Sequence, residues 1–368
     1  MAYKRCPQDY GIFLKKLPCK SIIIITIYVD DGRVRNDTTN EARIIATEDK
    51  KRLQERFEMK FKKPEYFLGV NIIRHSAFHY TLHSGTYIEA MIEKYLSEPL
   101  ESYPNAWSEN PCDKTIYGAY RSALTQRMVP ASKELIERYG AIVGAIGFIS
   151  PNTRPDISFP TGICLRCTTF PTEDMYMHAI RILVYLGRNH LMGLNIHAAP
   201  NREIILITKV DSTWDSLPST TGFTVQFNGT SIAHGSRRQQ NITMSSTEAE
   251  LNALCTGCLE TLHYKSMFEF LGAEFVDPIP IWIDNKGAYD LMFRDTPGQS
   301  TKHVERKIFK GRELRGLGII IPTKVDTEIN DSDMFTKALD TKKFQSCCYE
   351  FAGTEQTYTY KRRHDTIR

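Results

Sequence analysis

The chain has 368 residues, 41% hydrophobic and 24% charged, with a net charge of +4; these values allow two or three domains with real cores and exclude a disordered or collagen-like chain. Its most apolar run, SIIIITIYV at 21–29, is far shorter than the roughly 20 residues a helix needs to cross a bilayer, and the opening MAYKRCPQDY carries no secretory pattern. Nine cysteines, an odd number without such a signal, point to reduced thiols in an intracellular compartment rather than a disulfide scaffold.

In chain order, residues 10–15 and 21–29 predict two strands around a turn holding Pro18, the second of them buried. Asp30 and Asp31 follow that second strand at once. Two adjacent carboxylates at the tip of an apolar strand are costly unless water or a cation meets them, although Asp is also an ordinary turn residue. A charged amphipathic helix is expected over 48–60, a strand opening at Tyr66 and running through Ile73, and a second helix over 87–96. Residues 98–111, rich in Pro, Ser and Asn, predict a linker. Beyond it YGAIVGAIGFI at 139–149 is a Gly/Ala-rich helix suited to close packing, and 179–186 (AIRILVYL) reads as a further helix. The Arg residues of this region can cap or pair as readily as touch nucleic acid.

The C-terminal region changes character. Residues 203–210 predict a strand ending at Asp211, and 222–228 a second. Asn228-Gly229 is a strong two-residue hairpin signal, and 231–236 predicts the returning strand. In TMSSTEAELNAL at 243–254, Ser245 with Glu248 and Thr247 with Glu250 both fit the capping-box spacing, so a helix begins there. Leu251, Leu254, Cys258 and Leu262 give it an apolar stripe. Glu248 and Glu250 are two residues apart and point about 200° from each other, so one alone can face a shared site. The pattern then predicts a strand at 279–283 ending at Asp284, a basic helix, a strand at 318–321 and a short helix from Asp333 to Leu339. Residues 301–318 carry Lys302, Arg306, Lys307, Lys310, Arg312 and Arg315 against Glu305 and Glu313, a local excess of +4 equal to that of the whole chain; a solvated helix face is the plainer reading of the same run. An antiparallel meander extended by parallel crossovers places its functional crevice beyond the carboxyl ends of the parallel strands. Asp211 and Asp284 each stand at a strand end there, and with a helical Glu and Asp333 they would be crowded like charges, stable together only with bound cations.

Several segments resemble a known family. Tyr28-Val29-Asp30-Asp31 resembles the YVDD box of reverse transcriptases. YFLGV at 66–70, the YIEKYL-like segment at 87–96, TRPDI at 153–157 and RILVYL at 181–186 are similar to the palm end and thumb of reverse transcriptases from copia-type retrotransposons. Val210–Trp214 as VDSTW, STTG at 219–222, SRRQQ at 236–240, SSTEAE at 245–250, Asp284-Asn285, Thr301-Lys302-His303 and DMFTK at 333–337 fall in the order and spacing of the copia-type ribonuclease H domain. The resemblance implies an α/β fold: a ribonuclease H-like mixed five-stranded sheet with helices, preceded by a truncated palm and thumb and a helical connecting region. The implied divisions are 1–100 for the reverse-transcriptase remnant, 101–200 for the thumb and connection, 201–342 for the ribonuclease H domain, and 343–368 for a basic, poorly ordered tail.

By the same resemblance Asp211, Glu250, Asp284 and Asp333 are the catalytic metal ligands for two Mg²⁺ ions, with Mn²⁺ able to substitute. Glu250 is preferred because Glu250-Leu251-Asn252-Ala253 is similar to the E-L-x-A box of ribonucleases H, which leaves Glu248 as the capping acid. Such a site hydrolyses the RNA strand of an RNA–DNA hybrid, leaving a 3′-hydroxyl and a 5′-phosphate. Lys302, His303, Arg306, Lys307 and Lys310 would contact nucleic acid, while Tyr28, Asp30 and Asp31 are the polymerase remnant. The implied partners are the hybrid and the remaining Pol segments or a second Pol chain, with no membrane and no small-molecule substrate; the implied location is a cytoplasmic virus-like particle or the nucleus.

The chain also departs from the family. Thr213 stands where the family has a second Asp, Glu305 replaces an Asp, the strand after YVDD is polar, and only Asp9 precedes the box. By the resemblance the fingers and most of the palm are expected to be absent from this chain, and alone it is not expected to polymerise DNA. Two other readings remain: a decayed or co-opted relic that binds nucleic acid without catalysis, and an interaction protein with zinc held by Cys164/Cys167 and Cys255/Cys258.

Overall fold

The computed structural model describes residues 2–62, 65–197, 204–214, 219–240, 242–294 and 305–351, the side chains of 305–307 and 349–351 excepted. The chain divides into two compact units, one of residues 1–68 and 262–276, the other of residues 69–261 and 277–368.

The first unit begins with four antiparallel strands in sequential order: β1 (Lys4–Arg5), β2 (Ile12–Lys16), β3 (Ile22–Tyr28) and β4 (Asp31–Asn36). Alternation puts Ile23 on the face covered by helix α1 (Asn40–Arg56), where it packs with Leu17, Ala42 and Ala46. Only Ile23 of β3 is fully buried and Ile27 is half exposed, so the strand expected to be buried is covered on one side alone. Helix α1 starts earlier than the charge pattern predicts because Thr39 caps it, its hydroxyl accepting from the Ala42 N–H at 3.3 Å. Asp49 on α1 receives both Lys15 Nζ and Tyr3 OH at 2.8 Å. A short strand β5 (Tyr66–Phe67) closes this part. The single strand expected through Ile73 is broken where Leu68 and Gly69 adopt φ of 51° and 81°.

The second unit holds an antiparallel ladder of β6 (Val70–Arg74), β7 (His79–His83) and β8 (Gly193–His197). Its helices are α2 (Gly85–Tyr95), α3 (Thr115–Gln126), α4 (Lys133–Ile149), α5 (Ser158–Leu165) and α6 (Glu173–Arg188). Their apolar faces, Ile116, Tyr139, Ile142, Ile146 and Leu183 among them, make one core. Residues 98–111 are not a free linker. They form two short 3-10 turns, and the Arg188 guanidinium donates to the carbonyls of Leu100, Tyr103 and Pro104. Arg154 and Asp156 of the TRPDI segment are buried as a bidentate pair, with Tyr185 OH donating to the same carboxylate at 2.7 Å, so this arginine is structural.

The remaining strands form a mixed five-stranded sheet. Strands β9 (Leu206–Thr213), β10 (Thr220–Phe227) and β11 (Thr230–Arg238) are an antiparallel meander. Strands β12 (Ile279–Ile283) and β13 (Ile320–Lys324) add in parallel, giving the order β11-β10-β9-β12-β13. Asn228 and Gly229, with φ of 48° and 92°, make the tight turn their sequence predicts. Helix α7 (Ser246–Leu271) packs on β9 where Gly257 meets Val210; a Cβ on that glycine would lie 2.5 Å from Val210 Cγ1. Helices α8 (Lys286–Phe293) and α9 (Glu305–Gly316) make the crossover from β12 to β13. The expected mixed five-stranded α/β architecture is therefore present.

The segment read as an unfolding tail is in part a helix, α10 (Thr341–Phe351). Phe344, Cys347 and Cys348 sit one turn apart and enter the helical core beside Tyr185. The rest of the expected tail, residues 352–368, lies outside the described residues.

A candidate metal centre of three carboxylates

The site is built where β9, β12 and α7 meet. Residues alternate sides along β9, so Lys209 and Asp211 share one face while Thr208 and Val210 face α7. Asp211 is the sixth of eight residues of β9, inside the strand rather than after it, because Ser212 and Thr213 continue the ladder against Thr221 and Thr220. Asp284 does follow its strand directly. The parallel register pairs Thr208 with Ile281 and Lys209 with Trp282, and carried forward along both chains it sets Asp284 level with Asp211. The chain then leaves the sheet as α8, whose first turn is capped by Asn285 accepting from the Ala288 N–H at 2.9 Å.

Helix α7 supplies the third acid, and the capping box decides which. The Ser245 hydroxyl accepts from the Glu248 N–H at 3.2 Å, and Glu248 reaches back to accept from the Met244 N–H at 2.7 Å. Glu248 is thus committed to the helix start. Glu250 instead accepts from the Ser212 N–H at 3.2 Å, and its other carboxylate oxygen is buried without a hydrogen-bond partner among the described residues. Ligand atoms of Asp211, Glu250 and Asp284 all lie within 4.8 Å of one another. Asp211 and Glu250 are buried and Asp284 half-buried, so the group opens to solvent on the Asp284 side.

Asp333 does not join this group. It lies on a short 3-10 helix (Asp331–Phe335) rather than on the α-helix expected from Asp333 to Leu339, and its carboxylate takes Lys337 Nζ at 2.6 Å. The same ammonium stands 3.8 Å from Asp211 Oδ2, and the Thr336 hydroxyl donates to that oxygen. Lys337, Thr336 and Lys209 are the residues that sequence reasoning missed. The first two lie within the DMFTK motif, but nothing in the motif says which neighbour they face.

The 3-10 helix is clamped to the sheet. Asn330 donates to the Val210 carbonyl at 3.0 Å, Lys209 Nζ meets Asp331 at 2.8 Å, and Gln226 donates to the same carboxylate at 3.1 Å. Gly222, opposite Asp211 on β10, is required by this contact, since a Cβ there would stand 2.5 Å from Thr336 Cγ2.

Burial and like charge dominate the electrostatics. Burial pushes the Asp211 carboxyl up to about 7; Lys337 and Thr336 oppose that shift, while Asp333 and Asp284 add to it. Burial, then Asp211 and Asp284, hold Glu250 well above the carboxylate range. Burial alone would lower the Lys337 ammonium, but Asp211 and Asp333 outweigh it and raise it. Three oxygen donors in close reach, one of them carrying an orphaned buried oxygen, fit a hard divalent cation such as Mg²⁺.

The other expected site residues lie elsewhere. Tyr28 and Asp31 pair across the β3–β4 hairpin, with Val29 (φ 51°) and Asp30 as its turn, and all four are exposed. Among the described residues no third metal-ligating side chain joins Asp30 and Asp31. Lys302 and His303 lie outside the described residues. Arg306 and Lys307 fall on α9, with side chains that are not described, and Lys310 pairs with Glu313 at 2.9 Å. Arg312 of the same run donates to the Leu291 carbonyl and Arg315 covers the Phe293 ring, so part of the basic run holds α9 to α8. Burial pushes the thiols of Cys164, Cys167 and Cys258 up to about 12, and among the described residues none of them belongs to a close group of metal-ligating side chains.

A retrovirus-related Pol polyprotein from transposon TNT 1-94 of Nicotiana tabacum is 25% identical over 353 residues, covering 94% of this chain and 25% of the polyprotein. The corresponding polyprotein from transposon RE1 of Arabidopsis thaliana is 27% identical over 342 residues, covering 89% of this chain and 21% of its own length. The chain is a relative of transposon Pol polyproteins. It spans about a quarter of the length of the polyproteins it matches. No family model matches it. A solved structure, that of the foamy viral protease-reverse transcriptase in complex with dsDNA, superposes with a TM-score of 0.43 at 17% identity, covering 82% of this chain and 55% of that one. No helix among the described residues is long and apolar enough to cross a membrane.

Proposed function

We propose that the second unit carries a ribonuclease H site that hydrolyses the RNA strand of an RNA–DNA hybrid, leaving a 3′-hydroxyl and a 5′-phosphate. The observation that carries the reading is the convergence of Asp211, Glu250 and Asp284 within 4.8 Å with one buried carboxylate oxygen unpartnered. Its setting at the carboxyl ends of β9 and β12, in a chain related to transposon Pol polyproteins, supports it. Those three residues would hold Mg²⁺, with Mn²⁺ as a substitute; a cation bound there would supply an activated water and charge stabilisation at the departing oxygen of a phosphodiester.

The protein's own groups prepare the site. Thr336 fixes one oxygen of Asp211 and the Ser212 N–H fixes Glu250, so both buried acids are oriented before any substrate arrives. Asp284, the half-buried member, faces the side from which a phosphate can enter. The basic residues of α9 would track backbone phosphates, giving affinity and register without sequence preference. Asp30 and Asp31 lack a third acid among the described residues, which supports a polymerase portion unable to extend a primer alone. Remaining Pol segments or a second Pol chain are the proposed protein partners.

A second reading, a relic that binds nucleic acid without cutting, is favoured by one observation: Lys337 already supplies a cation between Asp211 and Asp333. Incubation of the full chain with a labelled RNA–DNA hybrid and Mg²⁺ separates the two. Cleavage that disappears in Asp284→Asn supports the nuclease; binding without cleavage in both proteins supports the relic.

A further inference from the structure

Four carboxylates gather at one edge of the sheet, yet only three of them lie within ligand reach of one another. The fourth, Asp333, is held by Lys337 at 2.6 Å, and the same Nζ is 3.8 Å from Asp211. This lysine is not a freely swinging surface cation. Its backbone N–H donates to the Asp333 carbonyl at 3.2 Å, in the segment that Asn330, Asp331 and Thr336 fasten to β9. The ammonium is therefore delivered to the seam between the two aspartates by the fold itself.

We propose that Lys337 is a positioning residue that acts as a built-in counter-ion: it lets the acids be packed together in the metal-free protein, and it competes for Asp333 with a second divalent cation. The inference rests on the metal reading of the site and deepens it. Asp211, Glu250 and Asp284 take a first divalent ion. A second, which would draw on Asp333 and Asp211, requires Lys337 Nζ to leave both oxygens. Metal stoichiometry is thus set by a lysine rather than by the number of acids, and a substrate phosphate that attracts the ammonium would favour loading of the second ion.

The test counts Mn²⁺ bound to the full chain without nucleic acid, by the loss of the free-ion electron paramagnetic resonance signal, alongside thermal melting in metal-free buffer. The unaltered chain is expected to take up one Mn²⁺ tightly and a second weakly. Lys337→Gln is expected to tighten the second site about fivefold, the worth of a partly exposed ion pair, and to melt lower without metal, with the difference closing as Mn²⁺ is added. Lys337→Arg, which keeps the cation, is expected to follow the unaltered chain. If Lys337→Gln matches the unaltered chain in both uptake and metal-free melting, while Asp284→Asn loses uptake, Lys337 has no such role and the metal site stands. If the unaltered chain and Asp284→Asn take up Mn²⁺ alike, the metal reading is overturned and this inference falls with it.

Discussion

Two pairs of carboxylates borne by strands or next to them meet opposite fates in this molecule. Asp30 and Asp31 stand at a hairpin turn, exposed, with water to solvate them and no third acid beside them among the described residues. Asp211 and Asp284 stand level on parallel neighbours, with Glu250 brought in by a helix. In the hairpin the acids belong to one local element and cost nothing to solvate. In the mixed sheet they come from three elements distant in sequence, and burial forces them to share protons or a cation. A carboxylate motif becomes a site through what covers it. Spacing in sequence does not make it one.

Neutralising one acid in each place separates the two groups most strongly. Asp284→Asn is expected to lower hybrid cleavage about a thousandfold, equivalent to about 4 kcal/mol of barrier, whereas Asp30→Asn with Asp31→Asn leaves cleavage unchanged; equal losses in the two variants would erase the distinction. Next in size is stability. Lys209→Met strands buried Asp331 without its cation and is expected to cost about 3 kcal/mol in chemical denaturation, because Lys209 and Asp331 are both almost fully buried.

A pH titration comes third. The folded-state pKa of Asp211, at about 7, stands above its ordinary value of 3.8, so between those two values the folded protein binds more protons than the unfolded chain. Metal-free stability should therefore fall as pH rises from about 4 to about 7, and Mg²⁺ should flatten the decline in a series of melting curves. A decline that Mg²⁺ leaves untouched would place the buried charge somewhere other than the group of Asp211, Glu250 and Asp284. The smallest effect belongs to α9: Lys310→Ala should weaken hybrid binding modestly and reduce the slope of log affinity against log salt by about 1, with no change if Lys310 serves only Glu313.

Much of this was legible in the residues. The meander, its Asn228-Gly229 turn and the parallel crossovers follow from alternation and turn chemistry; two capping boxes fit the start of α7 in the sequence, and the structure uses the one of Ser245 and Glu248 while Glu250 joins Asp211 and Asp284. Other elements carry their mark in the chain as well: Ile116, Ala119, Tyr120 and Ala123 stand at helical spacing in α3, Asn285 caps α8, and Phe344, Cys347 and Cys348 share one face of α10. What could not be read is the environment of single charges. Whether Asp333 faces the other three acids or Lys337, and whether Arg312 faces a phosphate or the Leu291 carbonyl, depends on where a 3-10 turn or a neighbouring helix comes to rest. Local pattern sets the turn and tertiary packing chooses its partner.

The clamp formed by residues 330–337 also carries a consequence for biosynthesis. A ribosome delivers all three members of the carboxylate group before it delivers the asparagine, threonine and lysine that brace them. While the nascent chain ends short of that brace, Asp211 has neither its hydroxyl donor nor its tethered ammonium, so a chain arrested there would expose the acids without their support. The carboxylate group is completed only after its acids have been made, by a segment that contributes none of the three that converge.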